Sequence, residues 1–149
     1  MSKMKGLKLR QLSMAVKEGR AVPIDKLGQR LRDIREVLGM TQKQLAKRIG
    51  IGQPLLSRIE EDVSSCALKT VARIAAALEC EFLGVVTSRQ ALELMIKKQA
   101  AKKANGLIKR TFANMALEKQ APGQKSYDYQ LKKMIEELSA NPGPELWEE

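Results

Sequence analysis

The chain has 149 residues, a formal net charge of +10, two cysteines and no histidine. Without histidine, and with Cys66 and Cys80 far apart, a zinc site is not expected. The phosphate-cradling and nucleophile-elbow motifs of common enzymes are absent, so we predict neither an enzyme nor a cofactor. No apolar run approaches the roughly 20 residues of a membrane span, and two cysteines expected to be free predict a reduced, cytoplasmic setting. The positive charge predicts an anionic partner.

Two predicted helices open the chain. Residues 5–18 form a short basic helix that Gly19 and Pro23 end, and it is either a DNA-contacting arm or a packing helix. Residues 24–38 form the next helix, with Asp25 as its predicted cap. Apolar side chains recur along it at helical spacing, at Leu27, Leu31, Ile34 and Leu38. Its arginines are assigned to the outer faces: Arg30, Arg32 and Arg35.

Residues 40–61 predict two short helices joined by a tight turn. Thr41 and Gln44 have the spacing of a capping box at the start of the first helix. Gly50 can take the left-handed conformation that often ends a helix, and Gly52 and Pro54 suit the start of the second. This is the geometry that places the second helix in a DNA major groove. The predicted inner face comprises Leu45, Ala46, Ile49, Leu55, Leu56 and Ile59.

The predicted DNA contacts lie at the exposed start of both motif helices. Glutamine can read adenine through two hydrogen bonds, and arginine can read guanine or hold a phosphate. The candidate set is Thr41, Gln42, Lys43, Lys47, Gly52, Gln53, Pro54, Leu55, Ser57 and Arg58.

The stretch TQKQLAKRIGIGQPLLSRIE resembles the helix-turn-helix of the lambda-repressor/Cro (Xre-type) family. The resemblance implies an all-α, lambda-repressor-like domain in which Gln42 lies at the phosphate backbone and braces Gln53. One departure is Gly52, where the family usually has a Ser or Thr cap. The alternative is a helical hairpin of some other all-α protein.

After a loop at 62–67, Leu68, Val71, Ile74, Ala75 and Leu78 predict a fourth helix of this domain. Residues 81–87 are rich in β-branched and aromatic side chains and predict one short strand. A lone strand leaves its backbone groups unpaired, so we expect it to pair with its copy in a homodimer, as in the similar HipB-type antitoxins. The alternative is a monomer in which the strand folds onto its own chain. The predicted dimerisation residues are Phe82, Leu83, Val85 and Val86.

Ser88 is predicted to cap a long helix that reaches about Lys119, which Asn105-Gly106 can bend or break. Its lysines are either a solvated face or a binding surface. After a break at 121–123, residues 126–140 predict an amphipathic helix. The apolar positions of the long helix are Leu92, Ile96, Ala100, Ala104, Ile108, Phe112 and Ala116. The acidic tail at 142–149 holds Leu146 and Trp147, which either dock into a partner or stay free.

The whole layout is similar to a narrower family, mobile mystery protein A. The resemblance rests on LRQL, IREVLGMTQKQLAKRIGIGQ, LKTVARIAAALEC, ANMALEKQ and the Leu-Trp-acidic ending. That family is usually encoded beside a Fic-domain protein, so the resemblance implies an antitoxin-like partner of a Fic toxin. The inhibitory Ser/Thr-x-x-x-Glu-Gly/Asn motif of Fic antitoxins is not matched, because the nearest stretch, Ser57 to Asp62, lacks its last residue.

The sequence therefore predicts a mainly all-α chain with one short, dimer-forming strand. Its predicted segments are a basic arm (1–23), the DNA-binding domain (24–80), the strand (81–87), a helical extension (88–141) and the tail (142–149). The predicted function is a sequence-specific transcriptional regulator, a homodimer on a palindromic operator of double-stranded DNA that represses its own operon. The alternatives are an antitoxin that acts mainly by protein contact, or a nonspecific basic DNA-binding protein.

Overall fold

The computed structural model describes residues 3–117 and 123–149, and within them the chain is all-α, as the sequence predicted. It forms two compact units that divide between Val85 and Val86. The helices of the first unit are α1 (Lys3–Lys17), α2 (Ile24–Val37), α3 (Gln42–Ile49), α4 (Gln53–Glu61) and α5 (Leu68–Ala77). The second unit contains α6 (Leu92–Leu117), α7 (Gln124–Ala140) and a short 3-10 helix at Pro144–Leu146.

The turn chemistry predicted for residues 40–61 is confirmed. The backbone N–H of Gln44 donates to the Thr41 hydroxyl at 3.2 Å, and the Thr41 N–H donates to the Gln44 side chain at 2.8 Å. Together these two bonds are the capping box that starts α3. Gly50 ends α3 in the left-handed region, at φ 71° and ψ 35°. Gly52 starts α4 without a side-chain cap bond, which a glycine cannot make.

The core of the first unit lies among α2, α3, α4 and α5. Leu45, Leu56 and Ile74 are fully buried, and burying such a side chain contributes about 1.5–3 kcal/mol. This core holds the two motif helices at a fixed angle to each other. Its buried members are Leu31, Leu45, Ala46, Ile49, Leu56, Ile59, Val63, Val71, Ile74 and Leu78.

Helix α2 crosses the end of α4 at Gly28. A Cβ atom added at Gly28 would lie 2.5 Å from the backbone oxygen of Glu60 and 2.7 Å from that of Ile59. Because real Cβ atoms do not come so close to backbone oxygens, glycine is required for this approach. The contact sets the separation of α2 from the last turn of α4.

Four assignments around the motif are wrong. Leu38 and Leu55 do not join the core, since they are 56% and 46% exposed. Arg35 does not lie on an outer face but is buried. Asp25 lies inside the first turn of α2, and Pro23 occupies the cap position. Arg35 continues the row of Leu27 and Leu31, whereas Leu38 lies just past the last residue of α2.

The predicted strand at 81–87 is not formed in the single chain. Within the described residues there is no β-strand, and residues 80–88 lie outside every helix. Phe82 packs partly against the core of the first unit. Leu83, Val85 and Val86 stay exposed. The physical reason is that an extended segment is a strand only when a neighbouring strand accepts its backbone hydrogen bonds, and the described chain offers none.

In the second unit, α6 and α7 pack against each other, with the Phe112 and Tyr127 rings meeting edge to face at 4.9 Å. Ala100, Ala104 and Ile108 are buried as predicted, whereas Leu92 is 61% exposed. Helix α6 starts at Leu92 and not at Ser88, and it continues through Asn105-Gly106 without a break. The predicted end near Lys119, the break at 121–122 and part of ANMALEKQ lie outside the described residues.

Candidate nucleic-acid interface

Arg35 and Glu60 form a buried, two-bond ion pair beneath the motif. Arg35 Nε donates to Glu60 Oε1 at 2.6 Å, and Arg35 Nη2 donates to Glu60 Oε2 at 2.9 Å. Arg35 Nη1 donates to the backbone oxygen of Met40 at 2.8 Å. The pair therefore ties α2, the start of α3 and the end of α4 together at one point.

The same carboxylate orients the glutamines of the predicted interface. Gln42 Nε2 donates to Glu60 Oε2 at 2.9 Å, which leaves the Gln42 side-chain oxygen pointing away from Glu60. That oxygen accepts a hydrogen bond from Gln53 Nε2 at 3.2 Å. Arg35, Glu60, Gln42 and Gln53 thus form one chain of hydrogen bonds from the buried interior to the exposed start of α4. A side chain that is held in this way loses less conformational entropy when it meets a base.

The predicted contact residues lie mainly at the surface. Gln42 and Ser57 are half-buried, and Leu55 lies on the exposed side of α4 although its neighbour Leu56 is buried. This surface, from the start of α3 to the first half of α4, is called the motif surface below. Its exposed members are Thr41, Lys43, Lys47, Gly52, Gln53, Pro54, Leu55 and Arg58.

Cations around the motif divide into two kinds. Arg48 donates to the backbone oxygen of Ala77 at 3.3 Å, and Arg73 donates to that of Ile49, so both cap helix ends. Cations near the C-terminal end of a helix stabilise it through the helix dipole. Lys43 and Lys47 are exposed as well, but neither caps a helix end among the described residues. Lysines on the surface of α3 can reach phosphate groups of a duplex that lies against the motif surface.

The loop after α4 is fixed by Asp62. Its carboxylate accepts a hydrogen bond from the Ser64 backbone N–H at 2.9 Å. Hydrogen bonds from the Ser64 hydroxyl and from this N–H lower the pKa of Asp62 below its ordinary value. On α2, a hydrogen bond from Arg32 likewise lowers the pKa of Glu36. Each carboxylate is therefore held in its ionised form by the group that donates to it.

Arg35 and Glu60 were not among the residues that the sequence predicted for the site. The signal was present for Arg35, which follows Leu27 and Leu31 at the same four-residue interval and so points to the same side of α2. An arginine on a core-facing row needs a carboxylate partner, because a buried unpaired charge is costly. The identity of that partner, 25 residues later, was not deducible from helical periodicity.

The other candidate residues lie elsewhere. The predicted dimerisation segment contains the division between the two units, which falls between Val85, 63% exposed, and the fully exposed Val86. In the tail, Leu146 is buried and its backbone oxygen accepts a hydrogen bond from Gln99 Nε2 at 2.8 Å. Trp147 is 55% exposed. Of the two tail residues, Trp147 is therefore the one whose side chain is exposed.

Neither a metal cluster nor a membrane helix is found in the parts of the chain that the structure describes. No group of three or more Cys, Asp or Glu side chains among residues 3–117 and 123–149 could hold a metal ion. Within the same ranges, no helix combines the length and the apolar content that crossing a membrane requires.

Comparison with known proteins identifies the motif. Residues 31–85 match the helix-turn-helix family. Searches of curated proteins and of solved structures gave no match. The matched range begins on α2 and contains α3, α4 and α5. The chain thus carries a DNA-binding helix-turn-helix domain of the Xre/lambda-repressor type, the type that transcription regulators use.

Proposed function

We propose that the protein is a sequence-specific transcriptional regulator that binds a palindromic operator as a homodimer and represses its own operon. The observation that carries the proposal is the pair of hydrogen bonds that runs from Glu60 through Gln42 to Gln53, called the relay below. It presents a glutamine amide, oriented from beneath by a buried carboxylate, at the start of the second motif helix. A fixed amide in this position suits recognition of adenine in the major groove.

Selection from a random DNA pool tests this proposal. The full-length protein is incubated with random duplexes at one fixed salt concentration, and the bound duplexes are amplified and sequenced. We expect enrichment of a two-fold symmetric sequence whose half-sites lie about 10 base pairs apart. Specific sites are typically bound about 10³-fold or more tightly than random DNA. Equal affinity for selected and random duplexes at that salt would instead support a nonspecific DNA-coating protein.

The homodimer is the second part of the proposal. Leu83, Val85 and Val86 are exposed apolar side chains on a segment that lies outside every helix. Antiparallel pairing of residues 81–87 with a second copy would satisfy the backbone groups of both segments and cover these side chains. A two-fold dimer would also place two recognition helices on the two halves of a palindrome. Sedimentation of the parent protein tests this arrangement, since a monomer at micromolar concentration is incompatible with it.

The third part is an antitoxin-like pairing with a Fic-domain protein. It is supported by the resemblance of the ANMALEKQ stretch and the Leu-Trp-acidic ending to mobile mystery protein A. Trp147, beside the anchored Leu146, is the exposed aromatic side chain that this pairing would use. Co-expression with the product of the adjacent reading frame tests it. We expect a Fic-domain protein that co-purifies with the parent and not with Trp147→Ala.

A further inference from the structure

Helix α6 carries a row of lysines that form no ion pair with the described residues of its own unit, 86–117 and 123–149. Lys98, Lys102 and Lys109 are exposed, and at about 100° per residue they lie within about 40° of one another around the helix axis. They are called the lysine stripe below. The buried side of α6, at Ala100, Ala104 and Ile108, lies on the other side of the helix. The stripe therefore points away from the contact that α6 makes within its unit.

No carboxylate among the described residues pairs with the charges of the stripe. Every ion pair formed within residues 3–117 and 123–149 joins two residues of the first unit, all of them in the range 8–60. Lys98 donates a hydrogen bond to the neutral side chain of Gln90 at 2.8 Å. Lys98 and Lys102 are four residues apart, and like charges at this spacing destabilise a helix. An anionic partner would relieve this repulsion.

The geometry of the stripe favours a regular line of anions. From Lys98 to Lys109 the helix rises about 16 Å, a length over which one strand of duplex DNA presents about five phosphates. Asn105 is the residue that lies between Lys102 and Lys109 on this face. Protein interfaces usually have an apolar centre, and the stripe has no apolar side chain between its ends. A phosphate backbone fits these features better than an acidic protein surface does.

We propose that the lysine stripe of α6 is a second, sequence-independent contact surface for the phosphate backbone of duplex DNA. The inference rests on the proposed DNA-binding function, and it assigns to the second unit a part in that binding. In this arrangement the motif surface reads bases, while α6 adds affinity through phosphates of the same duplex. The connection between the two units is a single covalent chain, so binding by one unit raises the local concentration of DNA near the other.

A charge-neutralising triple variant tests the inference. The variant carries Lys98→Gln, Lys102→Gln and Lys109→Gln in the full-length chain. Glutamine forms helices nearly as well as lysine, so circular dichroism should show unchanged helix content. The control carries Lys125→Gln, Lys132→Gln and Lys133→Gln, three exposed lysines of α7, and has the same net charge. The probe is a random-sequence duplex of about 30 base pairs, since phosphate contacts do not depend on sequence.

The readout is the slope of log affinity against log salt concentration. Each lost phosphate contact should reduce its magnitude by about 0.9, so the α6 variant should lose up to about 2.7 while the control keeps the slope of the parent. An unchanged slope in the α6 variant, or an equal loss in the control, would overturn the inference. So would a parent that does not bind the random duplex at low salt. The proposed regulator function would fail through a different result, since selection from the random DNA pool would then enrich no sequence.

Discussion

Arg35 and Glu60, 25 residues apart in sequence, meet in a buried two-bond ion pair with an Nε–Oε1 distance of 2.6 Å. The second oxygen of Glu60 also accepts a hydrogen bond from Gln42, which in turn accepts one from Gln53. The pair thus joins the interior of the helix-turn-helix domain to its exposed recognition helix. One carboxylate thus belongs both to the buried ion pair and to the hydrogen bonds that reach the proposed DNA-contact surface.

The first prediction concerns the stability of that pair. Arg35→Ala and Glu60→Ala each leave a buried charge without its partner, and breaking a buried pair in this way typically costs about 3–5 kcal/mol. We expect both single variants to lower the free energy of unfolding by this order in urea titrations. The double variant Arg35→Met/Glu60→Leu removes both charges and should be more stable than either single variant. Single variants as stable as the parent would contradict the role assigned to the pair.

The second prediction concerns the crossing of α2 and α4. Gly28→Ala places a methyl group against the backbone of Ile59 and Glu60, and overpacking of this kind costs about 1–3 kcal/mol. We therefore expect a lower free energy of unfolding. The matched control is Gly6→Ala in α1, where an added Cβ meets nothing within 4 Å. Because alanine is the better helix former by about 1 kcal/mol, this control should be neutral or stabilising, and equal destabilisation by both would refute the argument.

The third prediction concerns base recognition. Gln53→Ala should weaken binding to the selected operator by about 1–3 kcal/mol and relax its sequence preference, because it removes the amide that the relay orients. Gln42→Ala should have a smaller effect in the same direction, since it leaves Gln53 without its brace. Quantitative competition with random DNA measures both. The control is Gln29→Ala on α2, whose side chain bonds to Asp33 outside the motif. A Gln53→Ala protein with parental affinity and selectivity would disprove the recognition assignment.

The fourth prediction concerns salt. Lys43 and Lys47 are exposed on α3, and each lysine that neutralises a phosphate adds about 0.9 to the salt slope of DNA binding. The basic segment at 1–23 should add further contacts. We expect Lys43→Gln and Lys47→Gln each to reduce the slope by this amount, measured by fluorescence anisotropy on the selected operator. Lys26→Gln, an exposed lysine at the start of α2, serves as the control. An affinity that does not change with salt would rule out these contacts.

The fifth prediction concerns the dimer. Val85→Pro removes a backbone donor from the 81–87 segment, and proline is tolerated poorly in paired strands. We expect this variant to sediment as a monomer while its helix content stays that of the parent. Ala21→Pro, in the connection before α2, provides the matched control and should remain dimeric. A Val85→Pro protein that sediments as the parental dimer would exclude pairing through this segment.

Much of the helix-turn-helix was predictable because local chemistry decides it. The Thr41–Gln44 capping box, the left-handed Gly50 and the uncapped Gly52 all depend on residues within one turn of each other. The long helices were predictable for the same reason, although Ser88 does not start α6. The position of an N-terminal cap depends on the path by which the preceding chain enters the helix. For α6, the identity of Ser88 alone did not determine that path.

Tertiary structure decided what local chemistry left open. Arg35 and Leu38 both continue the core-facing spacing of Leu31, yet Arg35 is buried because α4 packs over it, whereas Leu38 lies just past the end of α2 and is exposed. The carboxylate of Glu60 became part of the site only when that packing brought it to Arg35 and Gln42. Residues 81–87 have the composition of a strand, but a strand requires a partner that their own described chain does not supply. Periodicity and caps thus determined the elements, and packing determined which side chains meet.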